Sequence, residues 1–136
     1  MSRSDYSDDL DSWTLIRWRG AVASAIRGKR GQAFLREMAA ALDAMPVKEL
    51  HAEILVQGGC VCAMGAVAVA RGIDASEIDA EDDEAVTKLF GLSNALVREI
   101  AYENDEGSWW GNETPAARWG RMRTWANSQI KGKNEY

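Results

Sequence analysis

The chain has 136 residues, of which 46% are hydrophobic and 27% charged, and a net charge of −5. These values fit a single domain, residues 1–136, with one core, and they argue against disorder away from the ends. Two cysteines one residue apart, Cys60 and Cys62, exclude a disulfide scaffold, and the longest uncharged stretch, Ile54–Ala70, carries three glycines and falls short of the roughly 20 apolar residues a membrane helix requires.

Taken in chain order, Met1–Asp11 is polar and expected to fray. Ser12 can cap a helix running to about Arg27, with Leu15, Trp18, Val22 and Ile26 on one stripe. Gly28-Lys29-Arg30-Gly31 breaks it. A second helix to about Met45 has Phe34, Leu35, Met38, Leu42 and Met45 as its apolar face, and Pro46 stops it. Leu50–Val56 alternates apolar and other residues in the manner of a half-buried strand, and Gly58-Gly59 permits a tight turn into Cys60-Val61-Cys62. Ala63–Ala70 is rich in small residues, and Gly65 lets another backbone approach, which favours a short buried helix. Asp79 can cap a helix to about Phe90, and Ser93 one to about Asn104. Asp105–Asn112 reads as a loop. Thr114-Pro115 is a strong helix start, and the last helix buries Trp119, Met122, Ala126 and Ile130 before a polar end, Lys131–Tyr136, also expected to fray. The expected class is therefore mainly α (α+β): a helical domain of about five to six helices with a short β-hairpin near residues 50–62.

Charge is unevenly placed. From Ile16 to Arg36 there are six basic residues and no acid, whereas Asp74–Glu106 holds eleven acids against Lys88 and Arg98. Ala116–Lys133 is basic again. The acidic middle can face the basic arms within the molecule or face a partner.

Within that middle, Val86–Ile100 has the pattern of a helix-turn-helix corner: Val86, Phe90, Leu92, Val97 and Ile100 are apolar around Gly91. Its acidic setting argues against DNA, because phosphate contacts require Lys and Arg. His51, Cys60 and Cys62 suggest a metal or thiol site, but Cys-x-Cys with one distant His lacks the usual zinc spacing and a fourth ligand. Asp79, Glu81 and Asp83 begin like a calcium loop, yet Glu84 and Phe90 occupy positions that need glycine and glutamate. With one His and no phosphate-binding glycine loop, no catalytic constellation, metal or cofactor is expected. Trp109 and Trp110 sit in the predicted loop between Gly107-Ser108 and Gly111-Asn112, outside any apolar stripe and shortly after Asp105-Glu106. Exposed Trp is a favoured interface anchor.

Several stretches, among them Arg30–Met38, Ala41–Pro46, Cys62–Val67, Tyr102–Glu106 and Thr114–Trp119, resemble a family of small phage and prophage proteins. The resemblance covers most of residues 28–130. Its motifs carry no chemistry that transfers to particular residues. It implies a viral accessory protein acting in the bacterial cytoplasm, a compartment also expected from the polar, leaderless N-terminus. Such proteins often bind and block host proteins.

The expected function is accordingly a non-enzymatic phage accessory protein that binds a host protein, with inhibition of a defence or regulatory system as the candidate effect. The expected partner-binding residues are Trp109, Trp110, Asp105, Glu106, Asp82 and Asp83, with no membrane association. Two rivals stay open: a helix-turn-helix DNA-binding regulator, and a small Cys/His enzyme or metal protein.

Overall fold

Six helices and a two-stranded hairpin follow one another in a computed structural model that describes residues 12–108 and 112–131. They are α1 (Ser12–Arg27), α2 (Lys29–Ala44), β1 (Val56–Gln57), β2 (Cys60–Val61), α3 (Ala63–Ala70), α4 (Asp83–Phe90), α5 (Asn94–Glu106) and α6 (Pro115–Gln129). The mainly helical class with one short hairpin is as the sequence pattern predicts. The expected loop carrying Trp109 and Trp110 falls at its centre outside the described residues, as do Met1–Asp11 and the tail after Lys131.

Helix α2 is the spine of the core. Its apolar face buries Phe34, Leu35, Met38 and Leu42, and α6, α3 and α1 pack around it. From α6 come the buried Met122 and Ala126, while the Trp119 indole N–H donates to the carbonyl of Leu42 at 3.0 Å. The rings of Phe34 and Phe90 meet edge to face, 5.7 Å between centroids, which joins α4 to the same core.

The residues of the predicted corner, Val86, Phe90, Leu92, Val97 and Ile100, are all buried. Gly91 turns the chain between α4 and α5 at φ 68, in the left-handed region that glycine enters without penalty. Thr114, Ser93 and Asp82 each accept a backbone N–H in the first turn of α6, α5 and α4. Asp82, not Asp79, is thus the cap of α4. Asp79 instead folds onto its own turn, accepting the N–H of Glu81 at 2.9 Å.

The expected strand Leu50–Val56 does not form. Only Val56 and Gln57 pair, opposite Val61 and Cys60. The preceding backbone takes its partners elsewhere: the N–H of Leu50 donates to Pro115 O and that of His51 to Val61 O. Glu53, at φ 63, donates its N–H to the carboxylate of Asp105. A segment whose donors are met by three separate elements has no need of a ladder.

Buried helix α3 follows the hairpin at once. The Cys62 thiol caps it, accepting from Gly65 N–H at 3.4 Å. Gly65 lies so close to the carbonyl of Leu55 that a Cβ there would collide with it. The small residues of this helix therefore let it press directly on the irregular 50–55 segment.

Candidate functional site: a groove between two helices

Helix α1 packs on α5 and α2, and α6 packs on α2 and α5. Between α1 and α6 a groove of about 1120 Å³ remains open, with α5 along its floor. Its apolar walls are Leu15, Trp18 and Val22 from α1, Tyr102 from α5 and Trp125 from α6.

Local sequence explains the shape. The α1 stripe has residues at helical spacing, yet only Val22 of residues 13–27 is buried, so most of that stripe faces the groove and not the core. Trp18 is held from below by the guanidinium of Arg98, whose carbon lies 4.3 Å from the ring centroid. Gln32 ties the two walls together near their C-terminal ends. Its amide nitrogen donates to Ile26 O at 2.7 Å and to Gln129 O at 3.0 Å, and its amide oxygen accepts from Lys131 N–H at 2.8 Å. The C-terminal ends of α1 and α6 are thereby tied through one side chain.

The other end is fixed by arginines. Arg121 donates to the carbonyls of Glu103 and Asn104, and Arg118 to that of Asn104, so two cations of α6 satisfy the last carbonyls of α5. Arg121 is in turn paired with Glu113 at 2.7 Å. That hydrogen bond, strengthened by the charges of Arg121 and Arg118, holds the Glu113 carboxyl below its ordinary range although burial opposes it. Glu103 goes the other way. Burial, then the neighbouring charge of Glu99, push its carboxyl up, and Arg121 offsets them only in part. The N-terminal part of α1 also leaves Trp13 and Ile16 in water, at 73% and 60% exposure.

The predicted site residues are dispersed. Glu106, the last residue of α5, lines the groove. Asp105 turns inward, accepting from Glu53 N–H at 3.0 Å and from the amide of Asn104 at 2.8 Å. Asp82 is an exposed cap, and Asp83 accepts from the Asn94 amide at 2.8 Å. Because Asn94 opens α5 and Glu106 closes it, the two acidic pairs stand about 18 Å apart at 1.5 Å per residue. Trp109 and Trp110 lie outside the described residues.

The groove itself was not among the expected sites. Its signal in the sequence is the excess of tryptophan on helix faces, Trp18 and Trp125, more than the buried faces require. The acids from Asp74 to Glu84 are mostly exposed and make no ion pair among the described residues, so this part of the acidic middle is not turned onto the basic arms.

For the rival readings the geometry is less generous. Asn94 and Arg98, the polar residues a recognition helix would use, are engaged by Asp83 and Trp18. No α5 residue before Glu106 is fully exposed. Among the described residues no group of three or more His, Cys, Asp or Glu side chains could hold a metal ion. No helix among them is long and apolar enough to cross a membrane. Comparison with protein-family models, with curated proteins and with solved structures finds no match to this chain.

Proposed function

We propose that this chain is a protein-binding accessory module that seats its partner in the groove between α1 and α6. The observation that carries the reading is the groove's lining: Trp18, Tyr102 and Trp125 come together along one groove, and the same helix α1 carries the exposed Trp13 and Ile16. Large aromatics presented in a concave, partly desolvated setting are the residues on which binding energy concentrates. The resemblance to phage and prophage proteins supplies the context, a host protein in the bacterial cytoplasm, with inhibition of a defence or regulatory component as the effect. In this reading Glu106 lines the floor of the groove without anchoring the partner, while Asp83 and Asp105 act through the internal hydrogen bonds described above.

The test is a pair of surface variants. Ala23→Arg fills the α1 wall of the groove, and Trp13→Ala removes the exposed anchor beside it. Partner capture from host cells is expected to fail for the first and weaken for the second, with the melting temperature of each near that of the parent. Glu77→Lys, on the exposed acidic stretch away from the groove, is expected to capture normally. Loss of capture with Glu77→Lys but not with Ala23→Arg would move the contact surface to the acidic stretch.

A further inference from the structure

Among the described residues the rim of the groove is basic. Arg19 and Arg27 project from the α1 wall and Lys131 from the end of α6; all three are exposed. Among the described residues none of these side chains meets a carboxylate. The two acids of the lining, Glu99 and Glu106, stand on α5, on the floor of the groove and not on the α1 wall. Helix α1 contains no acid at all along Ser12–Arg27, so nothing on that wall offsets its arginines. The channel follows α1 from Leu15 to Arg27, about 18 Å, the length of roughly 12 helical residues. An occupant of that length with an apolar stripe would place it on Trp18, Val22 and Trp125. Its flanks would then lie within reach of the three cations, inside the distance of about 8–10 Å over which salt leaves charges in contact.

Resting on the partner-binding reading, we infer that the groove's occupant is an acidic amphipathic helix of a partner protein, about three turns long, with one apolar stripe flanked by Asp and Glu. The apolar stripe supplies the anchoring, as in other helix-in-groove recognition, and the arginine rim selects the sign of the flanks and speeds encounter.

A displayed peptide library tests this directly. Each member has apolar residues at helical i, i+3, i+4, i+7 spacing and a free choice of Asp, Glu, Lys, Arg, Ser or Gln elsewhere. Selection on the intact protein is expected to enrich Asp and Glu at the flanking positions. Synthetic winners should lose at least tenfold in affinity to the double variant Arg19→Glu, Arg27→Glu, and should lose binding to Ala23→Arg. On the double variant, peptides with Lys flanks should overtake them. Winners with neutral or basic flanks that Ala23→Arg still abolishes would overturn the acidic assignment and leave the groove as the binding site. Winners indifferent to Ala23→Arg would overturn both. Sedimentation should find a monomer; a dimer that the double variant dissolves would assign the groove to a second copy and overturn the inference.

Discussion

The side-chain oxygen of Asn104, a residue fully buried in α5, accepts the N–H of Ala63 at 3.1 Å, joining positions 41 apart in the chain. The same amide donates to the carbonyl of His51 at 3.0 Å and to Asp105 at 2.8 Å. One side chain thus fixes the start of α3 and the irregular segment before the hairpin against α5. Replacing Asn104 with Ala leaves a buried donor, the Ala63 N–H, and a half-buried acceptor, the His51 carbonyl, unmet at once. The expected loss is about 2–4 kcal/mol in urea unfolding. Asn104→Asp should do no better, because it keeps the acceptor for Ala63 but sets a charge in the interior. A loss below about 0.5 kcal/mol would show that the segment is held by other means.

Gly65→Ala should destabilise the protein although alanine is the better helix former. The propensity gain is at most about 1 kcal/mol, whereas the new methyl group meets the carbonyl of Leu55 and forces α3 away from the 50–55 segment, a displacement costing about 1–3 kcal/mol or more. Thermal melts of Gly65→Ala beside Gly20→Ala, where a Cβ meets nothing, separate the two effects.

Glu113 and Glu103 should pull the pH dependence in opposite directions. The carboxyl of Glu113 is lowered on folding, chiefly by its hydrogen bond from Arg121, so its contribution is complete above the ordinary carboxylate range and vanishes as pH falls through the lower folded value. The carboxyl of Glu103 is raised, chiefly by burial, so what it contributes is complete below the ordinary range and is lost as pH rises through the raised value. Urea titrations from about pH 3 to about pH 8 should find Glu113→Gln less stable at neutral pH by about 1–3 kcal/mol, with the deficit shrinking in acid. Glu103→Gln should be at least as stable as the parent at pH 7. Equal deficits for Glu113→Gln at both extremes would contradict the assignment.

Sequence-dependent binding to duplex DNA is not expected at sub-micromolar concentration in about 150 mM salt. The corner between α4 and α5 has the right packing, but Asn94 and Arg98 are engaged internally and exposed acids crowd the α4 side. Selection from a random duplex pool, read by fluorescence anisotropy, checks this. Tight binding abolished by Arg98→Ala would restore the DNA-binding reading.

What the sequence reveals and what it conceals divide along the range of the interactions. Helices α2, α5 and α6 are legible because stripe, cap and stop are local: Phe34, Leu35, Met38 and Leu42 at helical spacing, Ser93, then Thr114-Pro115. The corner at Gly91 is legible for the same reason. The alternation from Leu50 to Val56 misleads, because beside Val61 its backbone takes distant partners, Asp105 and Asn104 at 52 and 53 residues from Glu53 and His51, and Pro115 for Leu50, and no local period encodes them. In the acidic run several aspartates can cap a helix; the requirement that Val86 and Phe90 both reach the core selects Asp82. Asn104, set among charged neighbours, has no sequence mark of its burial. The groove is concealed by its own materials, since a half-covered apolar stripe on α1 reads the same as a buried one.

That half-coverage gives α1 a distinct place in the protein's opening equilibria. With Val22 alone fully buried among residues 13–27, detachment of α1 exposes far less apolar surface than detachment of α2 or α5. Its amides should therefore exchange with solvent by a sub-global opening well below the free energy of complete unfolding, while those of α2 exchange only with the whole fold. The wall that carries Trp18 is then also the wall that swings. An occupant of the groove would stabilise the closed form in proportion to its concentration, and slowed exchange confined to α1 would report the binding event itself.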